Sequence, residues 1–288
     1  MIELVIVAVL SSAVGVIWSI AFLAFPRADP ARAVSMEIGA KLGERREIRR
    51  FLRARLDPAA TTGLVLTFAL AGVVVAGVVL GVFAAMIRSN SNVVNVDIEV
   101  TRWAATHATS TSLAVFGWLT RAGSTAGVLA AAAITGIYAA RTRRLRSVLL
   151  FLLIVLGGQA VLSNLIKLAV ERVRPDVPPL HVFSGPSFPS GHATAAAATW
   201  AAVALVFAWG ASPRLRAVLA GTAAGIAVAV ACTRVFLGAH WTSDVIGGLL
   251  LGWTWFGLCA VAFGGRVLRV GSPAKEAAAP ATRPMDAP

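Results

Sequence analysis

The sequence predicts an all-α fold, a polytopic membrane bundle of helices. Hydrophobic residues make up 58% of the 288 residues and charged residues only 14%. In soluble domains about 45–50% of the residues are apolar and about 25% are charged. The mean hydropathy is +0.79, and seven apolar stretches approach the roughly 20 residues that a helix needs to cross a bilayer. This composition excludes a disordered chain, and two cysteines are too few for a disulfide-stapled scaffold.

The first apolar stretch covers residues 2–25, with the sequence IELVIVAVLSSAVGVIWSIAFLAF. A cleaved signal peptide is the competing interpretation, but it would begin with basic residues and have a shorter apolar core. This stretch carries Glu3 and no cation. We therefore expect residues 1–26 to form a retained N-terminal transmembrane helix.

A strongly basic segment follows at residues 27–57. Between Ile38 and Leu56 the apolar residues fall near helical spacing, and arginines fill the gaps. One interpretation is an amphipathic helix lying on an anionic inner leaflet. The other is a solvated basic linker, and the sequence leaves both open.

A six-helix core is expected over residues 58–265, with spans at about 62–87, 124–140, 148–169, 191–210, 216–234 and 244–264. Within residues 88–123, the part from Asp97 to Leu119 is only weakly apolar, so we expect a surface or interfacial helix there. Residues 266–288 are rich in proline and alanine and are expected to be a disordered tail.

The distribution of cations predicts the orientation in the membrane. With seven spans, 19 of the 26 Lys and Arg residues fall on one side, in the loops 27–57, 141–147 and 211–216 and in the tail. The positive-inside rule then predicts a multi-pass plasma-membrane protein with its C-terminus in the cytoplasm and its N-terminus outside. Topology thus accounts for most of the net charge of +13, which needs no nucleic acid to explain it.

Three segments that emerge on the outer side carry a group of polar residues. The segments read KLAVERVRP from Lys167, SFPSGH ending at His192, and TRVFLGAHWTSD ending at Asp244. The candidate site residues in them are Lys167, Arg174, Ser190, Gly191, His192, Arg234, His240 and Asp244.

The cations of these segments indicate a phosphate or diphosphate pocket. Lys167 and Arg174 are seven residues apart, about two helical turns, which places them on one face of a helix. Arginine binds phosphate oxygens in a bidentate way, and lysine adds a point charge. Ser190 and Gly191 stand just before a helix, whose first N–H groups bind anions.

The two histidines of these segments suggest the reaction. His240 and Asp244 are four residues apart, so they face each other on a helical turn. A carboxylate bound to one ring nitrogen fixes the tautomer and leaves the other nitrogen free to attack. His192 has no carboxylate four residues later, which suits a general acid better.

These motifs resemble those of the type 2 phosphatidic acid phosphatase (PAP2) family, membrane lipid phosphatases that share their core with vanadium haloperoxidases. The family signature is K-x6-R-P, then P-S-G-H, then S-R-x5-H-x3-D. The chain reads Lys167-x6-Arg174-Pro175, Pro189-Ser190-Gly191-His192 and Thr233-Arg234-x5-His240-x3-Asp244. Thr233 is the one departure, and it keeps the hydroxyl. The resemblance covers about residues 62–264 and leaves out the first helix and the basic linker.

The resemblance implies a metal-independent phosphomonoesterase or diphosphatase that needs no cofactor. It assigns His240 as the nucleophile that forms a phosphohistidine, Asp244 as the residue that orients it, and His192 as the acid that protonates the leaving group. It also implies that the phosphoryl oxygens are bound by Lys167, Arg174, Ser190, Arg234 and the Gly191 N–H.

The expected partners are the bilayer and a phosphorylated lipid, because the motif residues stand at span ends. Polyprenyl diphosphate, phosphatidic acid and phosphatidylglycerol phosphate are all candidates, and family analogy favours undecaprenyl or decaprenyl diphosphate. Two alternatives stay open: a lipid phosphotransferase, and a non-catalytic lipid-binding or transport protein on the same scaffold.

Several further polar residues match no motif. His107 and His181 are expected to be structural or solvent-facing. Glu171, Arg172 and Asp176 flank the first motif, and they either hydrogen-bond at the pocket rim or are solvated loop charges.

Overall fold

The computed structural model describes residues 2–24, 61–89, 92–142, 145–176 and 184–267. The regular structure in these ranges is entirely helical, which confirms the predicted all-α class. A 3₁₀ turn, Thr120–Gly123, precedes the fifth α-helix. The α-helices in chain order are α1 (Ile2–Ala24), α2 (Thr61–Arg88), α3 (Asn92–His107), α4 (Ser110–Leu119), α5 (Thr125–Arg141), α6 (Leu145–Val170), α7 (Gly191–Phe207), α8 (Pro213–Phe236) and α9 (Thr242–Val267).

Each of the seven predicted spans coincides with one helix, namely α1, α2, α5, α6, α7, α8 or α9. Within the described ranges, three helices are individually long and apolar enough to cross a membrane: α6, α8 and residues 242–260 of α9. The number rises to five if two bent pairs each count as one span: residues 77–88 with α3, bent by 80°, and residues 110–123 with α5, bent by 51°.

Local sequence signals set several helix starts. Ser124 and Ser212 each accept a backbone N–H from the first turn of α5 and α8, and Pro213 occupies the first turn of α8. Thr109 and Ser112 form a reciprocal capping box at the start of α4. Such caps satisfy N–H groups that have no partner inside the helix.

Helix α7 is the centre of the bundle and packs against α5, α6, α8 and α9. Its first turns are rich in alanine, and all the alanines from Ala193 to Ala198 are buried. Small side chains let neighbouring backbones approach closely. A Cβ built on Gly248 of α9 would lie 2.7 Å from the Ser190 carbonyl oxygen. The start of α9 therefore lies directly against the start of α7.

The N-terminal helix packs extensively against α8. A Cβ on Gly15 would lie 2.9 Å from the carbonyl oxygen of Gly221, and one on Gly225 would lie 3.0 Å from that of Ser11. Val7 is buried in an apolar cluster with residues of α4 and α8. Although α1 lies outside the region of the resemblance, it belongs to the packed bundle.

The segment 88–123 differs from the expected surface or interfacial helix. It forms α3, α4 and the 3₁₀ turn, and one face of α3 is buried through Asp97, Thr101 and Ala104. The rest of α3 is exposed or half-buried, as expected for a surface helix, and the difference is the buried polar face, which low hydropathy alone does not reveal.

Some predictions lie outside the described residues. These are the basic segment 27–57 with its possible amphipathic helix, His181, and the tail from residue 268 onward. At the other end of the core, α9 continues to Val267, two residues past the predicted limit at 265.

Candidate active site

Three parts of the bundle meet at the candidate site: the end of α6 with the loop after it, the first turn of α7, and the turn between α8 and α9. His192 has electrostatic interactions with groups from two of these parts and with the last turn of α8. The groups that act on it are Arg234, His240, Lys167 and Arg174. The backbone N–H of Ser190 donates to the Asp244 carbonyl oxygen at 3.0 Å, which ties the start of α7 to the start of α9.

His240 and Asp244 face each other in the turn that starts α9, and both are buried. The distance from His240 Nδ1 to Asp244 Oδ2 is 3.4 Å. The same oxygen accepts the Trp241 N–H at 3.0 Å. This bond is the carboxylate half of a capping box, in which the third helical residue reaches back to the cap. Helix initiation thus fixes the carboxylate that faces the imidazole.

The other ring nitrogen of His240 faces Arg174. Arg174 Nη1 lies 3.3 Å from His240 Nε2, and the same Nη1 donates to the Ala239 carbonyl oxygen at 2.7 Å. A guanidinium has donors and no acceptor. The contact therefore assigns the lone pair to Nε2 and the proton to Nδ1, which donates toward Asp244.

Burial favours the neutral form of His240. Desolvation lowers the pKa of His240 to about 4, even though the hydrogen bond and the charge of Asp244 act in the opposite direction. A neutral imidazole with an available lone pair is the nucleophilic form. The site therefore holds His240 ready to attack at neutral pH.

Ser190 differs from the other serine caps of the bundle. It precedes α7, yet its side chain makes no capping hydrogen bond. Its Oγ is buried without a hydrogen-bond partner among the described residues. An unpaired buried hydroxyl costs free energy, and a phosphate oxygen at the N-terminus of α7 would satisfy it.

Gly191, the first residue of α7, lies beside Lys167. A Cβ at that position would lie 3.8 Å from Lys167 Nζ. The ammonium group of Lys167 and the N–H groups at the start of α7 therefore face the same space, as expected for an anion site.

Arg234 is buried at the end of α8, and its Nη1 donates to Thr120 Oγ1 at 3.2 Å. Thr120 belongs to the 3₁₀ turn, outside the predicted motifs. The neighbouring Thr233 turns its hydroxyl to the Val230 carbonyl oxygen at 2.6 Å, within its own helix. The departure from serine at position 233 is thus accommodated inside α8.

Arg172 and Asp97 are functional-site neighbours that the motifs do not include. Arg172 is buried, donates to Asp244 Oδ1 at 2.6 Å and donates to Asp97 Oδ2 at 2.7 Å. Of the two interpretations left open for Arg172, burial rules out the solvated loop charge. Sequence analysis missed Asp97, although its spacing of four residues to Thr101 is the signal for a polar face on α3.

Outside the site, His107 is exposed and stacks on Trp103 with ring centroids 4.5 Å apart. Of the two expectations for His107, structural or solvent-facing, its exposure agrees with the second. In the part of the chain that the structure describes, no three His, Cys, Asp or Glu residues are grouped so that they could hold a metal ion.

Comparisons with known proteins show which family and which proteins this chain is similar to. The family model for the PAP2 superfamily matches residues 147–267. The chain is 38% identical to phosphatidylglycerophosphatase B of Bacillus subtilis over 108 residues, which cover 36% of this chain and 52% of that protein. It is 41% identical to lipid A 1-phosphatase of Rhizobium johnstonii over 119 residues, which cover 38% of this chain and 44% of that protein. The matched region thus spans about half the length of these curated relatives.

A solved structure is similar over a larger share of the chain. It is the crystal structure of the first transmembrane PAP2-type phosphatidylglycerolphosphate phosphatase, from Bacillus subtilis. The sequence identity is 32% and the TM-score is 0.62, and the match covers 68% of this chain and 98% of the other.

Proposed function

This chain belongs to the PAP2 superfamily, and on that premise we propose that it is an integral membrane phosphatase that removes phosphate from a lipid. The observation that carries the proposal is the arrangement around His240. Its lone-pair nitrogen Nε2 faces Arg174 at 3.3 Å, while Asp244 faces the protonated nitrogen.

The first chemical step forms a phosphoenzyme. His240 Nε2 attacks the phosphorus of the substrate, and the bond from phosphorus to the lipid oxygen breaks as the bond to nitrogen forms. His192 gives a proton to the leaving oxygen. Asp244 stabilises the positive charge that develops on the ring of His240.

The second step releases phosphate. Water attacks the phosphorus, the bond to His240 Nε2 breaks, and the electron pair returns to the ring. His192, now neutral, takes the proton from that water. In both steps the phosphoryl oxygens are held by Lys167, Arg174, Ser190, Arg234 and the Gly191 N–H.

This mechanism requires no metal ion. Its nucleophile is an imidazole rather than a metal-bound water, and the cations of Lys167, Arg174 and Arg234 offset the charge of the phosphoryl group. A catalytic metal would supply a nucleophilic water and stabilise the phosphoryl charge. In this mechanism, side chains perform both roles.

The proposed substrate is a lipid phosphate reached from the outer membrane face. The excess of Lys and Arg on the opposite side supports that orientation. Phosphatidylglycerol phosphate is supported by the name of the Bacillus subtilis relative, and a lipid A phosphate by that of the Rhizobium relative. Phosphatidic acid and a polyprenyl diphosphate remain on the list of substrates to be tested.

The test is phosphate release by the detergent-purified protein in EDTA, with each of these lipids as substrate and His240→Ala as the control variant. We expect release by the wild type alone. A strict Mg²⁺ or Zn²⁺ requirement would contradict the metal-free mechanism. Release only when an acceptor alcohol is present would identify a phosphotransferase, and lipid binding without any release would identify a non-catalytic protein.

A further inference from the structure

Asp97 is a buried carboxylate on α3, outside all three motifs, and it contacts the start of α9. Its relative exposure is 1%. Oδ1 accepts the backbone N–H of Ser243 at 2.8 Å, and Oδ2 also accepts the Ser243 hydroxyl. Asp97 therefore caps the helix that begins next to His240, although it comes from a different part of the chain.

Arg172 joins Asp97 to Asp244. Its Nη2 donates to Asp97 Oδ2 at 2.7 Å and its Nη1 donates to Asp244 Oδ1 at 2.6 Å. All three side chains are at least nine-tenths buried. Buried charges are costly unless they are paired and hydrogen-bonded, so the three groups form one electrostatic unit rather than two separate ion pairs.

The charge of this unit matters for His240. When Nε2 bonds to phosphorus, the ring becomes positively charged, and the negative charge of Asp244 stabilises it. Arg172 alone would offset most of that negative charge, because it lies 2.6 Å from Asp244. Asp97 in turn offsets Arg172, so the unit of two carboxylates and one guanidinium keeps one net negative charge.

We propose that Asp97 is a positioning residue for the reaction: it holds Arg172 in place and balances its charge, so that Asp244 keeps its full effect on His240. This inference rests on the proposed function. Arg172 lies within the first motif segment, whereas Asp97 comes from α3, outside all three segments.

The first test compares Asp97→Asn with Glu99→Gln. Both variants remove one negative charge from α3, but Glu99 is exposed. We expect Asp97→Asn to lower kcat by about 10- to 100-fold, a range typical of residues that orient a reactive group. KM should change little, because the hydrogen bonds of Asp97 among the described residues go to Arg172 and Ser243 and not to the phosphate-binding residues. Glu99→Gln should leave both values within about twofold of wild type.

The second test restores the net charge. In the double variant Asp97→Asn with Arg172→Gln, Asp244 again supplies the single negative charge, and glutamine still offers an N–H donor. We expect kcat to rise at least about fivefold above Asp97→Asn alone, which is a non-additive effect between coupled residues. A further loss of kcat in the double variant would overturn the proposal and leave Asp97 a purely structural role.

A third measurement does not depend on activity. In ¹⁵N-histidine-labelled protein, the proton shift of the His240 Nδ1–H reports its hydrogen bond to Asp244. We expect this shift to change in Asp97→Asn, to return toward wild type in the double variant, and to stay unchanged in Glu99→Gln. An inactive wild type with these shifts would contradict the proposed function and support the role of Asp97.

Folding is checked by thermal unfolding of each variant in detergent. If Asp97→Asn does not fold but the double variant does, charge balance by Asp97 is supported. If neither folds, or if Asp97→Asn matches Glu99→Gln in kcat and in the His240 proton shift, the proposal is wrong.

Discussion

At the scale of single residues, the state of His240 follows from its two nitrogen contacts. The Arg174 guanidinium has only donors, so it donates to Nε2. An ionised Asp244 carboxylate has only acceptors, so it accepts from Nδ1. The sequence motif predicted the pair of His240 and Asp244. It did not predict the contact with Arg174, because a spacing pattern does not say which side chains meet across two loops.

The first residue-scale prediction concerns the protonation of His240. Because burial lowers its pKa to about 4, the ring should remain neutral as the pH falls from 8 to 5. In the unfolded chain the ring binds a proton near pH 6.5. Its contribution to the free energy of unfolding is therefore full above that pH and is lost as the pH falls toward 4. The measurement is a ¹⁵N NMR titration, with His240→Asn used to assign the signal. A midpoint near 6.5 for His240 would contradict the account.

The second residue-scale prediction separates the roles of the two histidines. His192→Ala should lose roughly 10²- to 10⁴-fold in rate on a lipid phosphate, because an alkoxide leaving group needs a proton. On an aryl phosphate, whose leaving group is stable as an anion, the loss should be at least tenfold smaller. Steady-state rates on both substrates provide the measurement. His107→Ala, outside the site, is the matched control, and equal losses on both substrates would argue against general-acid catalysis.

Asp97 could not be found from the sequence motifs. Asp97 contacts Ser243 and Arg172 across more than seventy residues of chain. Its neighbours in sequence give no catalytic motif, and the low hydropathy of its helix was compatible with a surface position. Only the packing of α3 against α8 and α9 shows that its polar face is inside.

At the scale of elements, the close packing of α7 and α9 positions the site. The helix positions were predictable from apolar length, and each predicted span coincides with one helix. The contact between α7 and α9 was not predictable from the sequence, because it depends on which glycines of α9 face α7. A Cβ on Gly252 would lie 2.5 Å from the Thr194 carbonyl oxygen, whereas one on Gly257 meets nothing within 4 Å.

The element-scale prediction compares alanine at these two glycines. Gly252→Ala forces α9 away from α7 and should destabilise the fold by about 1–3 kcal/mol, the usual cost of overpacking. Gly257→Ala adds the same methyl group in open space on the same helix, where alanine is the better helix former. Thermal unfolding in detergent should show a lower Tm for the first variant alone. Equal Tm values would contradict the packing described here.

At the scale of the whole molecule, the predicted orientation would account for most of the net charge of +13. The positive-inside rule predicts which side of the membrane each loop faces. Ser89 and Arg141 are exposed residues at the ends of α2 and α5, on opposite predicted sides.

The whole-molecule prediction uses cysteines at these two positions, in a background where Cys232 and Cys259 are replaced by alanine. A membrane-impermeant thiol reagent applied to intact cells should label Ser89→Cys and not Arg141→Cys. After the cells are opened, both should be labelled. The reverse pattern in intact cells would place the site in the cytoplasm and contradict the proposed orientation.

Trapping the phosphoenzyme tests the proposed phosphohistidine mechanism most directly. Wild-type protein is mixed with phosphatidylglycerol phosphate in EDTA, quenched in alkali within one turnover, and mapped by mass spectrometry. We expect an acid-labile phosphoryl group on His240 that is absent from His240→Ala. A phosphoryl group on another residue, or equal phosphorylation of the variant, would contradict that mechanism.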